Sequence, residues 1–420
     1  MMGLQTIWLA AIWVSGAAGN AHKLPRLILF TMITGTTVAW MPDLSQSRFI
    51  KSITTFFSND RYTLLLIISI VLIAGTVYAS EQRIWGYDEE GNYAAAELVA
   101  TEGASALFQN YGEMGWLGKQ HPPLSPILYG FTLRIFGVGL FQARLLTLFF
   151  MIGTGMLTYL IGRELYSRQT GLIAVFILFS FPLFFRLGTV AMVEVPLTFF
   201  FSLAIYLTLR LMRSMDGRLV VALGLAVGAG MLTKYTMVFV LPIIAYLVMT
   251  KCSFKQAVKL FAVLGVTAVT GLTIWLLFAK QTDFLVMQLE TIWSYALLVT
   301  TNEYGRMVLF ETVTNRLPTS LGVYNLPIIA FGMILIVRRR QPKDWYTLMW
   351  IALVWIPLIL TLPDHRYFMS TFPALAIVAA EGLKKIPALN KKAVLLSLLY
   401  CAGSLYLFVD WSRATWMFVQ

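Results

Sequence analysis

The chain has 420 residues, of which 58% are hydrophobic and only 12% charged, with a formal net charge of +12. Soluble domains carry about 25% charged residues, so a soluble globular protein is excluded. The two cysteines, Cys252 and Cys401, give no disulfide framework and no metal-ligand spacing. The basic residues sit in short clusters between apolar runs, not in a stripe with exposed aromatics. That argues against a nucleic-acid partner.

The apolar runs recur from end to end and lack the period-2 alternation of barrel strands. Backbone groups in lipid must be satisfied within a helix or a closed barrel. The reading is therefore an all-α polytopic membrane protein with roughly eleven to thirteen spans. In chain order, residues 1–41 form either two spans or a hairpin resting in the membrane. The stretch from Leu4 to Ala18 lacks the basic n-region of a cleavable signal. From Arg61 onward, spans are expected at 62–79, 140–161, 169–186, 195–209, 219–232, 235–249, 260–279, 319–337, 345–362, 367–383 and 393–409. The apolar segment 123–138 is flanked by Pro122-Pro123 and Gly137 and contains Arg134.

Charge decides what that segment is. Arg48, Lys51 and Arg61 precede the span at 62–79, and Arg163 and Arg168 follow the span at 140–161, so both points are cytoplasmic. Two spans between them satisfy the parity and three do not, so 123–138 lies at the outer interface or re-enters from outside. Every later basic cluster then falls inside: Arg210/Arg213/Arg218, Lys251/Lys255/Lys259, Arg338–Arg340 with Lys343, and Lys384/Lys385 with Lys391/Lys392. The acidic residues Asp88, Glu89, Glu90, Glu97, Glu102, Glu113, Glu194, Glu290, Glu303, Glu311 and Asp364 fall outside. Two large outer loops result, about 80–139 and 280–318, and loops of that length usually carry function. The whole of 1–420 is expected to be one membrane domain without a soluble C-terminal domain.

The first outer loop reads Trp85-Gly86-Tyr87-Asp88-Glu89-Glu90-Gly91-Asn92-Tyr93 and then turns amphipathic, with Tyr93, Ala96 and Val99/Ala100 on one face and Glu97 on another. Three adjacent carboxylates beside a span raise one another's pKa or recruit a cation. Equally, acids favour the first turn of any solvated helix. Further on, Lys119-Gln120-His121-Pro122-Pro123-Leu124 holds polar residues at the mouth of a helix. His121 suits a ligand, an acid or a phosphate donor there, or simply a hydrogen-bonding residue. Glu194 before Pro196, Lys234 between two short spans, and Asp364-His365-Arg366-Tyr367 return acids and bases to the same side. Ionisable groups this close to lipid default to a functional reading, although a lysine can also snorkel to the surface.

The order and spacing of these elements resemble the GT-C membrane glycosyltransferases that use polyprenyl-phosphate sugars. The similarity is to the dolichyl-phosphate-mannose–protein mannosyltransferase family (glycosyltransferase family 39) and to the wider group that includes the bacterial aminoarabinose transferase of lipid A. The resemblance rests on Asp88-Glu89 after a span and on Pro122-Pro123-Leu124 about thirty residues later. It continues through Phe136-Gly137, Ala143-Arg144-Leu145, Gly162-Arg163-Glu164-Leu165-Tyr166 and Thr170-Gly171-Leu172, then Glu194-Val195-Pro196 and Leu232-Thr233-Lys234. It covers 62–250; beyond that it rests on hydropathy and Arg366-Tyr367. Two positions depart from the pattern: His121 stands where relatives often carry Lys, and Gln120 where some carry a metal-binding Glu.

The resemblance implies a GT-C-like bundle with amphipathic interfacial helices in the first outer loop. It also implies inverting transfer of a sugar from a polyprenyl phosphate to a protein, lipid or glycan acceptor. Asp88 is the implied general base, with Glu89 orienting it or holding the acceptor. Lys234, Arg366 and His121 are the candidates for the donor phosphate, and Glu194 for sugar hydroxyls or a metal. Tyr93, Gln120 and Arg144 complete the substrate-binding set. Segments 93–101 and 123–138 would shape a groove for the isoprenoid tail. No cofactor is required by this reading, and a divalent metal stays an open option. The expected location is the inner membrane of a prokaryote, with the site facing outward. A transporter or flippase for a lipid-linked sugar is the competing class, with Asp88, Glu194 and Lys234 as a midplane site.

Overall fold

The computed structural model describes residues 60–110, 122–281, 303–322, 325–361 and 364–385, with single positions between 286 and 294. The expected spans within 1–41 and at 393–409 lie outside the described residues. Every regular element among the described residues is helical. In chain order they are α1 (Asp60–Ala79), α2 (Tyr87–Glu102), α3 (Ala104–Gln109), α4 (Leu124–Phe136), α5 (Leu140–Leu165), α6 (Arg168–Phe179), α7 (Pro182–Leu187), α8 (Glu194–Ser214), α9 (Gly217–Thr233), α10 (Val240–Met249) and α11 (Phe254–Gln281). There follow α12 (Glu303–Glu311), α13 (Leu317–Leu321), α14 (Leu326–Arg339), α15 (Pro342–Leu360) and α16 (Phe372–Lys384). Short 3-10 turns precede α10 at Tyr235–Phe239 and α16 at Tyr367–Thr371, and a π turn at Thr312–Arg316 joins α12 to α13.

Four helices, α1, α5, α8 and α15, are long and apolar enough to cross a membrane. A fifth candidate is the pair Glu303–Leu321 and Leu326–Arg339, bent by 101°. At 28 residues α11 is about 42 Å long, which exceeds a bilayer core. Several expected spans are shorter than lipid alone would demand. The reason is visible in α6, where every residue from Thr170 to Phe179 is buried, and in α16, where every residue from Phe372 to Leu383 is buried. A helix apolar all round and sheathed by protein need not match the bilayer.

Two expected spans are corrected. The run 169–186 is not continuous: α6 stops at Phe179 and α7 restarts with Pro182 at its first position, since proline starts a helix readily but cannot continue one. The run 319–337 is likewise divided. Gly322, at φ 75°, ends α13, and Pro327 opens α14.

Glycines set the closest crossings. A Cβ on Gly162 of α5 would meet Gly171 Cα of α6 at 2.9 Å, and one on Gly382 of α16 would meet Gly332 Cα of α14 at 2.9 Å. Small residues let helix backbones approach in this way in lipid. A hydrophobic core built on α6, α8 and α16 fills the middle of the bundle.

Charge gathers at the two ends of that core. At one end Arg339 pairs with Asp344 and, at 2.8 Å, with Glu381, while Lys384 reaches Glu381 at 3.0 Å and Tyr166 reaches Asp344 at 3.1 Å. This knot ties together α14, α15, α16 and the end of α5. At the opposite ends of α8, α9 and α16 lie Glu194, Lys234 and the 364–367 turn.

Candidate functional site: an ion-paired cluster at one end of the bundle

The second helix, α2, carries the first site residue. Its N-terminus begins after Gly86, which adopts φ 129°, and its first turn holds Asp88, Glu89 and Glu90. Helical spacing separates the three. Glu90 points to solvent, Asp88 is partly exposed and Glu89 is fully buried. The buried face of α2, Asn92, Ala95, Ala96 and Val99, packs on α4, where Gly130 lies against Val99. Glu97 is exposed, as the amphipathic pattern of 93–101 requires.

Glu89 and Arg144 are committed to each other. Arg144 Nε donates to Glu89 Oε1 and Nη2 to Oε2, each at 2.8 Å. The remaining Arg144 donors hold the carbonyls of Ala79, Glu81 and Arg83. Glu89 also accepts from the backbone N–H groups of Trp85 and Ala191, at 2.8 and 2.9 Å. Guanidinium has five N–H donors, and five bonds to protein use them. Sequence reasoning assigned Arg144 to substrate and Glu89 to the acceptor or to orienting Asp88. In the structure the pair is a knot that joins α1, α2, α5 and the 188–193 turn.

Asp88 faces elsewhere. Its Oδ2 accepts from Arg366 Nη1 at 2.5 Å. Arg366 is gripped from its other side by Asp364, whose Oδ2 takes Nη2 at 3.0 Å and whose Oδ1 takes the Arg366 backbone N–H at 2.9 Å. Burial would raise the Asp364 pKa, but Arg366 and His365 more than offset it and hold the carboxyl well below the usual range. The turn carrying these residues is fixed from α15: Trp350 Nε1 donates to Ser370 O at 3.1 Å and Trp355 Nε1 to Thr371 Oγ1 at 2.9 Å.

A second buried pair abuts the first. Lys234, the residue that ends α9, donates from Nζ to Glu194 Oε1 at 2.9 Å, and its ammonium lies 4.0 Å from the centre of the Tyr367 ring. Tyr367 follows Arg366 in sequence, so the two ion pairs share one locus. The structure thus brings Asp88, Glu194, Lys234 and Arg366 together from four separate connections. Tyr93 stays apart, half-buried against the Ala96–Tyr129–Leu133 cluster. Gln120 and His121 lie outside the described residues.

Three features were missed at the level of sequence. Asp364 anchors Arg366. Tyr129 on α4 hydrogen-bonds Thr147 at 2.8 Å and Met192 O at 2.7 Å, fixing the interfacial helix to the turn that leads to Glu194. Arg186 is buried with its guanidinium 3.8 Å from the Trp85 ring centre, and its nitrogens make no hydrogen bond among the described residues. Asp364 was marked in the sequence as an outer acid beside Arg366 but without this role, and Arg186 stands as a lone charge within an apolar run; Tyr129 carried no signal. Among the described residues no three His, Cys, Asp or Glu side chains group to hold a metal.

With this geometry in view, the likeness to known proteins is informative. Residues 120–277 match the family model described as dolichyl-phosphate-mannose-protein mannosyltransferase. That match includes Arg144, Glu194 and Lys234. An uncharacterized protein of Aquifex aeolicus (strain VF5) is 24% identical over 347 residues, 78% of this chain and 66% of its own length. The crystal structure of ArnT from Cupriavidus metallidurans in the apo state superposes with a TM-score of 0.57 at 17% identity, over 77% of this chain and 59% of ArnT. ArnT bound to undecaprenyl phosphate gives 0.55 at 16% identity, over 77% and 60%.

The chain has the GT-C fold. It is an integral membrane protein resembling the protein mannosyltransferases and ArnT, and it spans about three fifths of the length of ArnT. The GT-C likeness agrees with the helical reading of the hydropathy.

Proposed function

We propose that this protein is a membrane glycosyltransferase that moves a sugar from a polyprenyl-phosphate donor to an acceptor hydroxyl or amine on the non-cytoplasmic face. The observation that carries the proposal is the shared locus of two ion pairs, Asp88–Arg366 and Glu194–Lys234, at one end of the bundle. Inverting transfer needs a carboxylate to take the acceptor proton and a cation to meet the charge growing on the departing phosphate. Asp88 and Asp364 are both partly exposed, at 28% and 23%. Asp88 is taken as the base because Asp364 is bound to both the side chain and the backbone N–H of Arg366, and Arg366 and Lys234 are the cations. Clustering at one end of the bundle also favours a transferase over a transporter, whose site belongs at the midplane.

In the proposed reaction the acceptor oxygen attacks the anomeric carbon as its proton passes to Asp88. The bond from that carbon to the phosphate oxygen breaks, and its electron pair stays on the phosphate. Arg366 and Lys234 stabilise the added charge, and Glu194 is left for the sugar hydroxyls. Because Arg366 caps Asp88 in the structure, a donor phosphate that draws Arg366 toward itself would also uncover the base. Donor would then bind before acceptor.

The test is an assay of purified protein in lipid with a panel of polyprenyl-phosphate sugars and a hydroxyl or amine acceptor. Release of polyprenyl phosphate with an inverted product supports the assignment. No turnover or hydrolysis with any donor, together with no donor binding, would overturn it.

A further inference from the structure

His365 takes no part in that mechanism, yet it sits in the middle of the cluster. The residue is only 6% exposed, and its Nδ1 makes no hydrogen bond among the described residues. That nitrogen lies 3.3 Å from Asp364 Oδ1. The same oxygen accepts the Arg366 backbone N–H and is shared with Arg366 Nε at 3.3 Å.

Arg366 serves two carboxylates of the cluster, Asp88 and Asp364, while Lys234 pairs with Glu194. A donor phosphodiester brings one more negative charge and competes for Arg366. When Arg366 turns to the phosphate, Asp364 loses its principal cation while still largely buried. A buried carboxylate without a partner is strongly disfavoured. His365 is the group positioned to take over.

The charged groups that face His365 are Asp364, Arg366, Arg316 from the Thr312–Arg316 turn, and Glu194 from α8. Burial lowers its pKa, Asp364 and Glu194 work against that, and the two guanidiniums add to the lowering, so the ring is neutral near pH 7. Moving Arg366 toward a ligand removes one of the opposing charges and leaves Asp364 free to stabilise an imidazolium.

We propose that His365 takes up a proton when an isoprenyl phosphodiester binds, replacing Arg366 as the cation on Asp364 and so releasing Arg366 to hold the phosphate. One solvent proton is bound per ligand and no covalent bond changes. His365 is thus a positioning residue that acts through Asp364 and Arg366. The inference rests on the reading that this cluster binds the donor phosphate.

The test uses the purified full chain in nanodiscs and a short-chain isoprenyl methyl phosphodiester, which keeps a single charge across the neutral range and does not titrate itself. Calorimetry near pH 7 in two buffers of different ionisation enthalpy counts protons taken up on binding. The wild type is expected to take up close to one proton, and its affinity to rise as pH falls from about 8 to about 6, by at most about tenfold per pH unit. His365→Asn and His365→Gln should bind more weakly, with no uptake and an affinity flat within about twofold over that range. Asp364→Asn should abolish the uptake as well, because the imidazolium loses its partner, whereas His22→Asn, at a histidine outside the candidate site residues, should retain it. Binding by the wild type without proton uptake overturns the inference while leaving the transferase reading intact. So does uptake that survives in a folded His365 variant or vanishes in His22→Asn. Failure of the wild type to bind the phosphodiester overturns the donor-site reading and this inference with it.

Discussion

Asp88 and Glu89 are neighbours in sequence, and one helical step gives them different environments. Glu89 is turned inward to the knot with Arg144, and Asp88 is turned to the cluster with Arg366. Their substitutions should therefore separate. Asp88→Asn keeps the shape and removes the base, so transfer should fall by about a hundred- to ten-thousand-fold with the melting temperature unchanged. More than about a tenth of wild-type activity would contradict the assignment. Glu89→Gln leaves Arg144 a buried charge short of its partner and should cost about 3–5 kcal/mol, read as a lowered melting temperature of the detergent-purified protein. Arg366→Lys keeps the charge but loses the fork that reaches Asp88 and Asp364 together. It should lower kcat/KM for donor at least about tenfold, a loss of about 1.4 kcal/mol in transition-state stabilisation. The depressed Asp364 pKa gives a pH sign too. The stability it contributes is present above its ordinary value of 3.8 and is lost only as pH falls through the lower folded value, so mild acid should leave the Asp364–Arg366 pair intact.

Among the elements, α2 and α4 decide where Asp88 points. The amphipathic pattern of 93–101 marked one face of α2 from sequence, since Ala96 and Val99 recur at helical spacing. What they pack against was not legible, because the partner surface is Gly130 and its neighbours on a helix about thirty residues away. A Cβ on Gly130 would come within 2.4 Å of Val99 Cβ and 2.9 Å of Ala96 O. Gly130→Leu should therefore push the two helices apart. We expect a lowered melting temperature and a loss of transfer exceeding the loss of folded protein, because Asp88 moves with α2. Comparing specific activity per folded molecule with that of Leu124→Ala, a partly buried position at the start of α4, separates displacement from general weakening. The divided runs at 179–182 and 321–326 teach a related lesson: hydropathy saw continuous apolar sequence, while proline geometry and a left-handed glycine broke it.

At the scale of the whole molecule, the two charged ends of the bundle make a topological prediction. Lys255→Cys, near the start of α11, should resist an impermeant thiol reagent in intact cells, and Glu303→Cys, at the start of α12, should react. Labelling of Lys255→Cys but not Glu303→Cys would invert the orientation and move the cluster to the cytoplasm. Sequence alone determined that the chain is a helical membrane protein, because hydropathy and backbone satisfaction are local properties that any window reveals. It also marked Asp88, Glu194, Lys234 and Arg366 as ionisable groups next to lipid. Only the tertiary structure decided which of them pair. Charge parity assigns a side of the membrane but carries no angle around a helix axis, so it could not tell that Arg144 spends every donor on protein or that Asp364 and Asp88 share Arg366. Those outcomes depend on which face each helix turns inward. That is set by side-chain and glycine contacts between segments far apart in sequence, such as Gly130 on Val99 and Tyr129 on Met192.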